Sequence, residues 1–225
     1  MILTKENRLR CLISLLVFIA LEVFIWTQPE LIVKIFGYDN AIKYIDFVFY
    51  GGLFILYIIV FRKTLWNSLK DFKDNYKKYF NIIAICTFIT FVLIVAAAII
   101  LDSCGIGESA NQKGIDNALE NYGIFMALPA CLFGPLVEEF VHRGIVLGAL
   151  KGEKSGKVRT VIAIIVGAVL FGMIHCDLSN LTVTDVLSVI PQMLMGIMFG
   201  IAYVLSDNIL CPIAVHMVIN IIATI

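Results

Sequence analysis

Gly134-Pro-Leu-Val-Glu-Glu-Phe-Val-His-Arg-Gly-Ile-Val-Leu-Gly-Ala149 is the stretch on which the fold turns. Glu138, Glu139, His142 and Arg143 sit within an apolar run from Tyr122 to Leu150. Charge at that depth in a hydrocarbon layer is costly, so an ionisable residue there calls for a functional reading. Four together call for one account of the group.

The surrounding chain supports a membrane setting. Of 225 residues, 60% are hydrophobic and only 15% charged, against nearer half apolar and a quarter charged in a soluble domain. Repeated uncharged runs approach the ~20 residues of a membrane helix. Zero net charge gives no reason to expect nucleic-acid binding. The six cysteines show no C-x-x-C spacing, which excludes a zinc ribbon or a thioredoxin-like motif and favours free thiols.

Helices are expected over Cys11–Trp26, Tyr44–Phe61, Tyr79–Leu101, Tyr122–Leu150, Thr160–His175, Val186–Leu205 and from Ile209 to the end. No small-residue cleavage site follows the first, so it reads as a retained signal anchor; Glu22 within it has no evident role. Arg62–Lys78 reads as a solvated cytoplasmic loop with some interfacial helix. Asp102–Asn121 reads as an acidic loop, and Asp177–Asp185 as a polar one. This is an all-α polytopic transmembrane bundle of seven or eight spans. Residues 1–120 form an N-terminal three-helix region and 121–225 a four-helix core that holds the charged cluster. With the N-terminus in the cytoplasm, the inner segments carry Lys5, Arg8, Arg10, Arg62, Lys63, Lys70, Lys73, Lys77, Lys78, Lys151, Lys154, Lys157 and Arg159. The outer ones carry only Lys34, Lys43 and Lys113, the positive-inside pattern. The C-terminus is then outside.

The C-terminal part concentrates intramembrane polar residues: the cluster, then His175, Gln192, His216 and Asn220. At ~1.5 Å per residue, Glu138, His175 and Asn220 lie roughly 17 to 22 Å from the cytoplasmic helix ends, and His216 about 11 Å. Glu138, His175, His216 and Asn220 can therefore meet in one cavity. Glu139 and Arg143, at i,i+4, form a helical ion pair. Glu138 lies about 100° round the helix, free for chemistry. A Glu–His pair can take a proton from water and return it to a leaving group. His216 and Asn220, also at i,i+4, suit an oxyanion hole. Together these point to peptide-bond hydrolysis.

Glu138-Glu139-x-x-x-Arg143, Phe171-x-x-x-His175 and His216-x-x-x-Asn220 resemble the motifs of the CAAX protease and bacteriocin-processing (CPBP) intramembrane proteases, which include the type II CAAX prenyl endopeptidases. Gln192-x-x-x-Gly196-x-x-x-Gly200 is similar to that family's small-residue segment. The resemblance covers about Tyr122 to Ile225. It implies that Glu138 and His175 activate water, that His216 and Asn220 hold the tetrahedral intermediate, and that Glu139 and Arg143 support them. It also implies a bacterial plasma-membrane protein acting on a membrane-associated peptide or protein, in CAAX-type processing, peptide maturation or bacteriocin immunity. No cofactor is required; the alternative is zinc on Glu138, His175 and His216. Glu138-Glu139-Phe-Val-His142 also varies the H-E-x-x-H zinc pattern, with Glu for the first His. That reading leaves His216 and Asn220 idle and ranks lower. Other classes to weigh are a non-enzymatic immunity or regulatory protein of the same fold and a proton-coupled transporter. The inverted repeats a transporter would carry are not found.

Overall fold

The computed structural model describes residues 7–152, 156–176 and 181–224, with the side chains of Trp26, Pro29, Tyr38, Asp39 and Ile42 set aside. Lys5, Lys154 and Asp177, used above, lie outside the described residues. Described residues are all-α, without strands, in eleven helices: α1 (Arg8–Thr27), α2 (Pro29–Phe36), α3 (Tyr38–Val60), α4 (Arg62–Asp74), α5 (Tyr76–Ser103), α6 (Ala110–Tyr122), α7 (Ile124–Lys151), α8 (Lys157–Met173), α9 (Val183–Ser188), α10 (Ile190–Ser206) and α11 (Leu210–Ala223).

Among the described residues, Lys43–Val60, Tyr76–Ser103 and Ile124–Lys151 are long and apolar enough to cross a membrane. A fourth span exists if α1 and α2, bent by 85°, count as one. The later helices fall short. α8 and α10 have 17 residues and α11 has 14, about 26 and 21 Å at 1.5 Å per residue, against a hydrocarbon core of ~30 Å. The chain is an integral membrane protein; α10 is largely buried, whereas α8 keeps an exposed apolar face with Val161, Ile162 and Ile165.

Segments expected outside the spans are helical: α2 and α6 throughout, and α4 as one continuous helix where only some interfacial helix was expected. α4 turns a half-buried stripe of Thr64, Leu65, Ser68 and Phe72 inward, the 3.6-residue period hidden by its lysines. Its C-terminal end is tied down: Asn208 Nδ2 donates to Ser68 O (2.9 Å) and Asp71 Oδ2 (3.0 Å), and the Tyr79 hydroxyl donates to Asp71. α6 begins where the Ser109 hydroxyl accepts from Gln112 N (3.2 Å), an N-cap. It ends at Gly123, whose φ of +51° suits a residue without Cβ. Asn111, Ile115 and Leu119 share its half-buried face. Polar composition concealed this period.

The centre of the molecule is α7. One face, with Leu136, Val137, Phe140 and Val141, packs on α1 and α3 through Cys11, Phe18, Tyr57 and Phe61; Phe140 stacks on Phe61 at 4.9 Å. Its other face meets α8, α10 and α11. α8 and α10 approach closely: a Cβ on Gly196 would lie 2.9 Å from Ala168 Cα, with no room for it. Small residues bring membrane helices this near. From the N-terminal part, α5 packs on α10 and α11. All six cysteines are free thiols.

Candidate functional site

α7 is not regular. Pro129–Phe133 and Phe140–Leu147 are π-helical, flanking an α-helical segment at Gly134–Glu139. Wide turns of this kind recur at functional sites, and here a cause is visible. The Gly134 N–H bonds to Pro129 O, five residues back. In that register the next donor, for Ala130 O, would be residue 135. Pro135 has no N–H. The Ala130 carbonyl is instead satisfied by Asn220 Nδ2 from α11, at 2.8 Å. Freed backbone groups inside a membrane must be met by a neighbour in this way. Asn220 therefore ties α11 to the break in α7, and its amide nitrogen still carries a second N–H.

Glu139 and Arg143 form the anticipated ion pair, Arg143 Nη1 to Glu139 Oε1 at 2.9 Å. Both are buried, 0% and 2% exposed. The guanidinium does more than close that pair. Nη2 donates to Gly196 O of α10 (3.1 Å), and the group lies 4.6 and 5.1 Å from the ring centroids of Phe171 and Phe199. Aromatic faces and a carbonyl are what an enclosed cation needs.

Glu139 has a partner that spacing within α7 could not reveal. Its Oε1 also accepts from His216 Nδ1 at 3.0 Å. A carboxylate accepts only, so Nδ1 carries the proton and the ring orientation is set. His216 Nε2 lies 3.9 Å from Glu138 Oε2. That is too long for a direct hydrogen bond and is a gap one bridging water spans. Phe199 stacks on the imidazole at 4.6 Å. Neighbours in sequence thus divide the work: Glu139 holds the buried nitrogen, and Glu138 faces the other.

His175 follows the end of α8, and its Nδ1 donates to Phe171 O (2.9 Å). This leaves Nε2 as its uncommitted nitrogen. Glu138, His175, His216 and Asn220 line one cavity of about 280 Å³. Glu139 and Arg143 lie behind it. His142 is not among the lining residues; it is buried against Phe171 at 5.2 Å, both ring nitrogens without a hydrogen-bond partner. Among the described residues, no group of three or more His, Cys, Asp and Glu is arranged to hold a metal ion. His175 and His216 each commit Nδ1 within the protein, which leaves Nε2 of each as the nitrogen open to chemistry.

Sequence reasoning missed part of the lining. Glu22 of α1, Asp46 and Tyr50 of α3, and Asn111 and Gln112 of α6 also border the cavity. Glu22 carried a signal, as a carboxylate in an apolar helix. Asn111 and Gln112 sit in the first turn of α6 and drew no notice, and neither did Asp46 and Tyr50 within α3.

Residues 120–222 match the family model described as type II CAAX prenyl endopeptidase Rce1-like. The chain is 32% identical over 93 residues to the membrane-embedded CAAX protease MroQ of Staphylococcus aureus (strain USA300), covering 40% of this chain and 34% of the relative. It is 30% identical over 117 residues to the membrane protein YdiL of Bacillus subtilis (strain 168), covering 52% and 43%. The chain thus spans less than half the length of these curated relatives. No solved structure matches it.

Proposed function

We propose that this protein, whose residues 120–222 match the Rce1-like type II CAAX prenyl endopeptidase family model, is an intramembrane endopeptidase that cleaves a membrane-associated peptide or protein with a bound water as nucleophile. The observation that carries this reading is the shared cavity. Side chains from α7, the end of α8 and α11 converge on it, and they are the residue types that hydrolysis of an amide requires.

In the proposed reaction, water sits between Glu138 and His175. Glu138 takes one proton as the oxygen attacks the scissile carbonyl, and His175 Nε2 accepts the other hydrogen bond. The oxyanion is met by the second N–H of Asn220 and by His216 through Nε2 when that nitrogen is protonated. Glu139 orients His216, as carboxylates orient catalytic imidazoles elsewhere. Glu138 then returns its proton to the leaving amine. Arg143 holds Glu139 in place.

The same proposal keeps seven crossings, four by α1 with α2, α3, α5 and α7 and three by the shorter α8, α10 and α11, with the N-terminus in the cytoplasm and the C-terminus outside. It keeps 121–225 as the catalytic core and 1–120 as a supporting region. Substrates in reach are a CAAX-type C-terminus or a leader or signalling peptide. Water activation is taken to need no metal.

Cleavage of a membrane-anchored reporter peptide by purified protein tests the chemistry. Glu138→Gln, His175→Ala and His216→Ala should each lower turnover by about 10²- to 10⁴-fold, the range for general acid–base groups. Unchanged turnover in all three overturns the reading. Metal analysis of the active preparation tests water activation: stoichiometric zinc lost together with activity on chelation would assign it to a metal.

A further inference from the structure

α1 and α3, which border the cavity of Glu138, carry a second cavity at their other end. The two helices run antiparallel. Tyr50 of α3 meets Glu22 of α1 beside the first cavity, and one end further on the Tyr57 hydroxyl donates to Ser14 O at 2.9 Å. Around Ser14 a groove of about 470 Å³ opens between residues 10–17 of α1 and 56–63 of α3 and α4. That volume is in the range of small-molecule sites, about 300–1,000 Å³. The two cavities share no lining residue, and Glu22 and Arg10 lie roughly 18 Å apart along α1.

The lining of the groove is sorted by depth. Arg10, in the first turn of α1, and Arg62 and Lys63, in the first turn of α4, stand at its mouth. Below them Ile13 and Val17, one turn apart on α1, line it with Leu56 and Ile59 of α3. Ile13 and Ile59 are 51% and 58% exposed. From Arg10 to Val17 the strip runs about 10 Å down the helix. All three cations are exposed, and none makes a hydrogen bond or ion pair among the described residues. No acidic residue lines the groove among the described residues. Ser14, on the lining and only 3% exposed, makes no hydrogen bond through its hydroxyl among the described residues.

Cations at cytoplasmic helix ends follow from topology alone. Topology does not require that three of them, from two separate helices, share the mouth of one groove with no acid beside them. We propose that this groove binds one anionic phospholipid. Its phosphate sits on Arg10, Arg62 and Lys63, and the upper part of its acyl chains covers the apolar strip. A guanidinium presents paired donors that match phosphate oxygens. A free phosphate would occupy the mouth and leave Ile13 and Ile59 bare. With the N-terminus in the cytoplasm, the mouth faces the leaflet whose anionic lipids attract basic residues. The site does not depend on the peptidase reading, since it shares no group with the cavity of Glu138.

Native mass spectrometry of the full chain in a neutral detergent tests this. The protein is titrated with phosphatidylglycerol or with phosphatidylcholine of the same acyl chains. The first phosphatidylglycerol should bind about tenfold more tightly, the value of a hydrogen-bonded contact to a charged group. Arg10→Gln and Arg62→Gln should each weaken it about fivefold. Ile13→Trp keeps every charge, fills the groove and should weaken it too. Lys70→Gln, which removes a cation of α4 outside the groove, should leave it unchanged. Equal retention of the two lipids by the unaltered protein overturns the site, whatever the variants do. A loss from Lys70→Gln as large as that from Arg62→Gln also overturns it, because the attraction is then to the basic surface as a whole. Binding untouched by Ile13→Trp, or abolished by millimolar inorganic phosphate, overturns the lipid as occupant and leaves an anion site.

Discussion

α5 and α7 are both 28 residues long and both able to span a bilayer, but they solve the membrane problem in opposite ways. α5 has a mean hydropathy of 3.0 over its best window, with 17% of that window buried within the protein. Phe80, Phe88 and Ile99 point outward, each more than half exposed. Its buried Thr90 bonds back to Cys86 O of the same helix, at 2.6 Å. α7 has a mean hydropathy of only 1.7, with half its window buried. Its charges are met by other helices: Arg143 by the Gly196 carbonyl, Glu139 by His216, and the opened backbone at Ala130 by Asn220. Apolar sequence suffices where lipid is the neighbour. Ionisable sequence needs a protein enclosure, and that enclosure leaves room for a cavity.

The sharpest way to break the contrast is to remove a partner inside the enclosure. Arg143→Met should cost about 3–5 kcal/mol, because breaking a buried pair strands the other charge. Thermal unfolding in detergent checks this; a melting temperature unchanged from the parent would mean that His216 alone satisfies Glu139. The converse change puts a charge on the side that faces lipid. Phe88 is 69% exposed near the middle of α5, and Phe88→Lys should cost roughly 2.5–3.5 kcal/mol in a membrane-insertion assay, whereas Phe88→Leu should insert like the parent. Next is the close approach that seals the enclosure. Gly196→Ala should lower stability by about 1–3 kcal/mol, since the added methyl collides with the Ala168 backbone and one helix must shift. Chemical denaturation of the variant beside the parent measures it.

The smallest effect concerns the end of α4, outside the membrane. The Tyr79 hydroxyl, with Asn208 and Asn75, holds the Asp71 carboxyl below its ordinary range. A carboxylate whose folded value is lowered contributes stability above its unfolded pKa and loses it as pH falls through the folded one. Docking of α4 should therefore hold at neutral pH and weaken below about pH 4. Asp71→Asn should remove that dependence. Hydrogen exchange of the α4 amides against pH would register it, and parallel curves for parent and variant would refute it.

Much of this was legible from residue order. The positions of the apolar runs located α1, α5, α7, α8, α10 and α11 to within four residues at each end, and α3 with a start six residues too late. The Glu139–Arg143 pair followed from i,i+4 spacing, because both partners ride one helix. α4 was anticipated only as some interfacial helix within a loop, and α2 and α6 were hidden: the stripes of α4 and α6 are diluted by lysine, asparagine and glycine, and α2 has only eight residues. The bond from His216 to Glu139 was hidden for another reason. It joins residues 77 apart, and its existence depends on how α11 is rotated against α7. Glu22 stood out as anomalous without a reason until α3 set Tyr50 beside it.

Sequence alone determined that this protein is helical, that it lies in a membrane and that most of its polar residues within apolar runs fall in the C-terminal part. Helix hydrogen bonds are local and hydropathy is a property of the chain, so both can be read in order. Only the tertiary structure decided that Glu139 holds His216, that Asn220 closes the gap left by Pro135 and that α1 and α3 border the cavity. Those outcomes depend on the rotation and depth of one helix against another, which packing across many residues sets together.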